Sequence, residues 1–116
     1  MKTKLLIIVA ACMASCVQKT EKQTVVFEVA VPGTDGKVTN VALRGTDFPL
    51  NWQEDKVMVY DSVKKVYRAT VTYKTGYKFT EYKYVVNGVF EMQDKPNRKV
   101  KFNDKNYTVL HDTVQF

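Results

Sequence analysis

The sequence contains little of the residue types from which most metal and catalytic sites are built. Its 116 residues include two cysteines and one histidine. A structural zinc site needs four ligands, mostly Cys or His, and a Ser-His-Asp triad needs a histidine beside its nucleophile. No apolar run reaches the roughly 18–20 residues with which a helix spans a bilayer. These shortages favour a binding protein over an enzyme, and no cofactor or metal is expected.

What the chain does contain is typical of one globular domain. Hydrophobic residues make up 45% and charged residues 26%, which excludes a disordered chain. The net charge is +6, but Lys2 and Lys4 belong to a predicted signal segment. The remaining excess of about four positive charges is too small to indicate a nucleic-acid binder, so no nucleic acid is expected as a partner.

The N-terminus has the pattern of an export signal. Lys2 and Lys4 precede the short apolar segment 5–11, as in a signal peptide. The segment Met13-Ala14-Ser15-Cys16 then resembles the bacterial lipobox, with Met13 where Leu is usual. The resemblance implies that residues 1–15 are removed as a lipoprotein signal peptide and that Cys16 is lipidated. The alternative is an ordinary cleaved signal with two incidental cysteines.

Lipidation would place the protein in the cell envelope. Residues 16–23 are polar after Val17 and are predicted to form a tether. Val17 takes the place of the Asp that favours inner-membrane retention in many Gram-negative bacteria. We therefore expect lipid anchoring in the outer membrane of a Gram-negative cell envelope, and the leaflet stays open.

The rest of the chain, residues 24–116, has the alternating hydrophobicity of β-strands. Val25, Phe27, Val29 and Val31 recur with period 2, and turn residues separate several such runs. The predicted strands include Val25–Val31, Val41–Gly45, Tyr67–Tyr73, Phe79–Val86, Lys99–Phe102 and Thr108–Val114. No segment has a convincing helical pattern. We predict an all-β fold, an antiparallel Ig-like β-sandwich of about seven or eight short strands.

A predicted hairpin brings an aromatic ring and a lysine to one face of a sheet. Asn87-Gly88 is a strong signal for a two-residue type I′ turn, which would place Val85 opposite Phe90. Side chains alternate along a strand, so Lys83 and Phe90 share a face, and a charged Lys83 favours the outer one. Such a pair suits a flat, hydroxylated ligand. Alternatively, Phe90 covers a sheet face under a loop, and a three-residue loop would turn it inward.

The single tryptophan, Trp52, lies in the polar segment 47–55. A lone tryptophan is often a core residue, and this alternative stays open. The polar neighbours favour partial exposure of the indole ring, which would leave a face free for stacking.

Five motifs occur in the order and spacing of a known family: Val41-Ala42-Leu43-Arg44-Gly45, Pro49-Leu50-Asn51-Trp52, Glu81-Tyr82-Lys83-Tyr84, Phe90-Glu91 and Pro96-Asn97-Arg98. The chain resembles the starch-binding carbohydrate-binding modules of the family 20 type over nearly all of residues 24–116. It departs from them in lacking a Gly between Leu50 and Trp52 and in having two extra residues between Phe90 and Pro96.

The resemblance implies a carbohydrate site in which two aromatic rings stack on successive glucose units. Trp52 matches the first ring, and Phe90 stands where the family has a second tryptophan. Lys83 and Asn97 match residues that bond sugar hydroxyls, and Glu91 matches an acidic neighbour with a weaker role. No aromatic residue lies near Gly33–Gly36, where the family has a tyrosine of its second site, so no second site is predicted.

The expected function is non-catalytic binding of a starch- or glycogen-type α-glucan by a membrane-anchored lipoprotein. The expected partners are the α-glucan polysaccharide or oligosaccharide, the membrane through the lipid anchor, and other proteins of polysaccharide utilisation. A glycosidase would need two carboxylates beside a cleft, and carboxylates on a strand protein are usually solvated. The main alternative is a structural or protein-interaction lipoprotein with this fold and no active sugar site.

Overall fold

The computed structural model describes residues 19–32, residue 38 and residues 40–116. The predicted signal peptide and the lipidation residue Cys16 lie outside the described residues. In the described part, the chain contains no helix with the length and apolar character needed to cross a membrane.

The described residues form nine strands and no helix, which confirms the all-β prediction. The strands are β1 (Glu21–Ala30), β2 (Val41–Gly45), β3 (Lys56–Val57), β4 (Val59–Asp61), β5 (Val66–Thr75), β6 (Phe79–Val86), β7 (Val89–Phe90), β8 (Arg98–Lys101) and β9 (Tyr107–Thr113). β1 begins at Glu21, inside the segment that the sequence predicted to be a tether. β3 and β4 were not predicted, because each is short and largely exposed and so lacks the alternation of a half-buried strand.

The strands form two sheets, as predicted for a β-sandwich. The first sheet has the order β4-β5-β1-β9, and the second has the order β3-β2-β6-β7 with β8 also paired to β6. All of these pairs are antiparallel except β1 with β9, which runs parallel. β8 belongs to the second sheet and β9 to the first, so the segment between these strands passes from one layer to the other.

The core lies between the sheets and is built from the alternating positions of the long strands. Phe27 of β1 and Leu43 of β2 are fully buried, as are Tyr73 of β5 and Tyr84 of β6. The rings of Phe27 and Tyr82 meet edge to face across the two layers, with centroids 4.9 Å apart. Edge-to-face packing at this distance adds to the free energy gained by burying the rings. The inward positions of β1 and β6 are therefore those that the alternation predicted.

The outer face of β1 is also buried, which differs from the half-buried strand expected from its pattern. Glu28 points to that face and is only 3% exposed. Its carboxylate lies 2.7 Å from the guanidinium of Arg68, 2.9 Å from Nδ1 of His111 and 3.6 Å from Nζ of Lys64. Long side chains of neighbouring segments thus cover a central strand that a sequence pattern alone would leave exposed.

A cluster of polar side chains, here called the inter-sheet cluster, joins the two sheets; it consists of Tyr82, Tyr84, Glu91, Arg98 and Asp112. Both tyrosine hydroxyls donate to Oδ2 of Asp112 at 2.7 Å. Arg98 donates two hydrogen bonds to the Glu91 carboxylate, at 2.7 and 2.8 Å, and lies 3.6 Å from Asp112. Burial raises the pKa of both phenols, so they stay neutral and keep donating at physiological pH.

Candidate functional site

The hairpin has the register predicted from Asn87-Gly88. Asn87 and Gly88 have φ angles of 50° and 80°, the positive values that a type I′ turn requires. Val85 pairs with Phe90, and regular pairing stops at that residue. Phe90 therefore points away from the core, on the outer face of the second sheet.

The loop that carries Trp52 is fixed to the second sheet on both sides of the tryptophan. Leu50 of the loop is buried against Gly45 of β2. A Cβ at position 45 would lie 2.9 Å from the carbonyl oxygen of Glu81 and 3.0 Å from Cδ1 of Leu50, so only glycine lets the loop pack this closely on the sheet. The side-chain oxygen of Asn51 accepts hydrogen bonds from the backbone N–H groups at 53 and 54, both at 2.8 Å. These contacts order the turn without the glycine that the family pattern has before its tryptophan.

Arg44 of β2 connects the tryptophan loop to the hairpin. Its guanidinium donates to the carbonyl oxygen of Trp52 at 2.8 Å and to the carboxylate of Asp55 at 2.7 Å. The same group lies 5.2 Å from the centroid of the Phe90 ring, a cation–π distance. Sequence reasoning did not select Arg44 as a site residue, although β2 places it beside Lys83 on β6.

The two predicted aromatic rings lie next to each other. The centroids of Trp52 and Phe90 are 6.4 Å apart and the ring planes are inclined by 48°. Each side chain is partly exposed. The rings form part of a shallow concavity of about 220 Å³, which is lined by Trp52, Lys83, Phe90, Gln93 and Asn97. Four of the five side chains predicted to bind carbohydrate thus line one concavity, and Gln93 is an addition that the sequence did not indicate.

Lys83 points to the predicted face, but its expected exposure is corrected. The side chain is only 8% exposed, because residues 91–97 cover it. These residues follow β7 and are here called the covering segment. Its ammonium donates to the carbonyl oxygens of Met92 and Lys95, at 2.9 and 3.0 Å. An ammonium has three N–H groups, so these two bonds leave one for a ligand at the concavity. Lys83 therefore holds the covering segment in place as well as lining the site.

Asn97 lies at the exposed rim of the concavity. Its side-chain N–H donates to the Glu81 carboxylate at 3.0 Å. This bond fixes the orientation of the amide, which can also donate a second hydrogen bond and accept others. A positioned amide of this kind suits recognition of a sugar hydroxyl.

Glu91 is not at the concavity, which corrects its predicted role. The residue is 0% exposed and its carboxylate accepts hydrogen bonds from Arg98 and from the backbone N–H of Tyr84. The carboxylate therefore neutralises the guanidinium within the inter-sheet cluster and stays out of contact with any ligand on the outer face. In the part of the chain that the structure describes, no three His, Cys, Asp or Glu side chains gather as metal ligands do.

Comparison with known proteins finds similarity at the level of structure. No protein-family model and no curated protein sequence matches the chain. A family 15 glycoside hydrolase glucoamylase from Hypocrea jecorina superposes with a TM-score of 0.63 over 87% of this chain, at 23% identity. A family 41 carbohydrate-binding module, CBMd of Eubacterium rectale Amy13K, superposes with a TM-score of 0.56 over 81%, at 16% identity.

What these proteins share with the chain is the fold. The chain spans 18% of the length of the glucoamylase and 90% of that of the carbohydrate-binding module. The β-sandwich therefore has the size of a whole carbohydrate-binding module and of a small part of the glucoamylase.

Proposed function

We propose that this protein binds an α-glucan without cleaving it. The observation that carries the proposal is the concavity in which the Trp52 and Phe90 rings lie beside Lys83 and Asn97. Aromatic rings cover the apolar faces of sugar units, and the ammonium and amide groups bond hydroxyls at their edges. The resemblance to starch-binding modules of the family 20 type assigns the same residues to such a site.

The inclination of the rings favours an α-linked chain over a β-linked one. A β-1,4-glucan is extended and presents nearly flat, parallel faces, whereas an α-1,4-glucan curves from one glucose unit to the next. Rings inclined by 48° suit successive units of the curved chain. A glucoamylase and a carbohydrate-binding module among the structural neighbours are consistent with a glucan ligand.

The lining of the concavity supports binding rather than hydrolysis. A glycosidase places two carboxyl groups on either side of the scissile bond. None of the five lining residues is acidic. The nearby Glu81 carboxylate accepts a hydrogen bond from Asn97 and does not itself line the concavity. For one shallow site we expect a dissociation constant of roughly 10 μM to 1 mM, or about −7 to −4 kcal/mol.

Affinity electrophoresis in gels containing amylose, glycogen or cellulose tests this proposal. Amylose and glycogen should retard the protein, and cellulose should leave its migration unchanged, because the inclined rings do not match a flat chain. A protein without carbohydrate affinity serves as the migration standard. Equal migration in all gels would contradict the proposal and favour the structural or protein-interaction role.

We further propose that Cys16 is lipidated and anchors the domain in the outer membrane of a Gram-negative cell. The basis is the segment Met13-Ala14-Ser15-Cys16 after the apolar run 5–11. Two or three acyl chains give stable membrane attachment, and many copies on one membrane would raise the avidity of a weak glucan site. Other proteins of polysaccharide utilisation would then be neighbours on the same membrane.

Cys16→Ala is expected to prevent membrane attachment. Labelled palmitate should be incorporated into the wild-type protein and not into Cys16→Ala, and fractionation should move the variant out of the mature membrane-bound pool. Cys12→Ala is the matched control and should be labelled like wild type, because Cys12 leaves with the signal peptide. A wild-type protein that is soluble and unlabelled would contradict lipidation.

A further inference from the structure

A second concavity adjoins the one that contains Trp52. It has a volume of about 280 Å³, and its lining includes Phe90, Met92, Gln93 and Phe116. Phe90 and Gln93 also line the first concavity, so the two concavities adjoin at these side chains. Ligand clefts usually have volumes of about 300–1,000 Å³. Each concavity alone is smaller than this range, and the two together fall within it.

Two hydrogen bonds hold Gln115, the residue before Phe116, against the covering segment. The backbone N–H of Met92 donates to the carbonyl oxygen of Gln115 at 2.9 Å. The backbone N–H of Gln115 donates to the Glu91 carboxylate at 3.2 Å. Phe116 follows these two bonds directly and is 76% exposed. The backbone next to Phe116 is thus held beside the proposed glucan site, and the Phe116 ring is exposed to solvent there and contributes little to the core.

We infer that this second concavity is an additional glucan subsite, in which Phe116 stacks on a sugar unit beyond the two covered by Trp52 and Phe90. This inference rests on the proposed glucan-binding function. The occupant is a further unit of the same chain, because the two concavities share the Phe90 ring and its neighbour Gln93. The polar groups of Gln93 and Gln115 lie on the lining, where they can bond the hydroxyls of that unit.

With this subsite, affinity should increase with the length of the glucan, and the increase should depend on Phe116. Calorimetric titration should show that wild type binds maltoheptaose more tightly than maltose by roughly 3- to 10-fold, the gain expected from one additional stacking ring. Phe116→Ala should bind maltose like wild type and should lose this gain for maltoheptaose. Phe116→Trp should keep or increase it.

A matched control, Tyr77→Ala, and the first-site variant Trp52→Ala separate this subsite from the first site. Tyr77→Ala removes an exposed ring that lines neither concavity, and it should bind both ligands like wild type. Equal affinity of wild type and Phe116→Ala for maltoheptaose, with binding lost in Trp52→Ala, would overturn the subsite and leave glucan binding intact. If Phe116→Ala lowered the affinity for maltose and for maltoheptaose equally, the subsite would also be overturned, because Phe116 would then belong to the first site. Absence of binding by wild type would overturn both proposals.

Discussion

Trp52→Ala is expected to abolish measurable glucan binding while the domain stays folded. One of two stacking rings is lost, and stacking on an aromatic side chain is worth about 1–3 kcal/mol per ring. A site whose total binding free energy is about −7 to −4 kcal/mol would then keep only about −6 to −1 kcal/mol, and most of that range corresponds to a dissociation constant above about 1 mM. The loop should persist, because Leu50, Asn51 and Arg44 order it through contacts that do not need the indole. Affinity and thermal melting measured on the same preparations check this prediction.

Three further variants, Tyr107→Ala, Phe90→Trp and Phe90→Ala, make the Trp52 experiment decisive. Tyr107→Ala removes a half-exposed ring from β9, outside the concavity, and should leave affinity unchanged. Phe90→Trp restores the ring that the family uses and should bind as well as wild type or better. If Trp52→Ala and Phe90→Ala lower the melting temperature without a separate loss of affinity, both rings serve packing and the site assignment is wrong.

Arg98→Ala is expected to be the most destabilising substitution at a charged residue near the site. Arg98 donates two hydrogen bonds to the Glu91 carboxylate, which is completely buried. Removing one partner of a buried ion pair leaves an uncompensated charge and typically costs about 3–5 kcal/mol. The free energy of unfolding from urea titration should fall by about that amount, which is a large part of the stability of a domain of this size.

A double variant distinguishes loss of the partner from loss of the pair. Glu91→Gln with Arg98→Met removes both charges of this pair and should recover a substantial part of the lost free energy, because the completely buried side chain at position 91 is then uncharged. Asp55→Ala is the matched control, since it breaks the ion pair with Arg44 near the surface and should cost no more than about 1 kcal/mol. A cost below about 1 kcal/mol for Arg98→Ala would show that water reaches Glu91.

The sequence predicted the parts of the fold in which a local pattern determines the structure. Alternation in β1, β5 and β6 assigned the correct side chains to the core. Asn87-Gly88 set the register of the hairpin, because few residue pairs accept positive φ at both positions. That register put Phe90 on the same face as Lys83, and the charge of Lys83 identified this face as the outer one.

The sequence could not predict features that depend on contacts between distant segments. Glu28 and Glu91 are buried because cations from other strands reach them, and no local pattern records such a partner. Lys83 is covered by a segment that contains two residues more than the family pattern. Phe116 lies beside Phe90 only because Gln115 bonds to Met92 and Glu91. In each case a long-range hydrogen bond or ion pair decides the exposure of the side chain.

The parallel pairing of β1 with β9 places the end of β9 far from the start of β1. Both strands run in the same direction, so Tyr107 lies beside the start of β1 and Thr113 beside its end. Ten strand residues span about 33 Å, and residue 116 lies beyond the far end. A lipid anchor at Cys16, as proposed, would join the domain near the start of β1, and Phe116 would lie at the opposite end of that strand. Such an arrangement would put the proposed additional subsite at the end of the domain that is remote from the anchor.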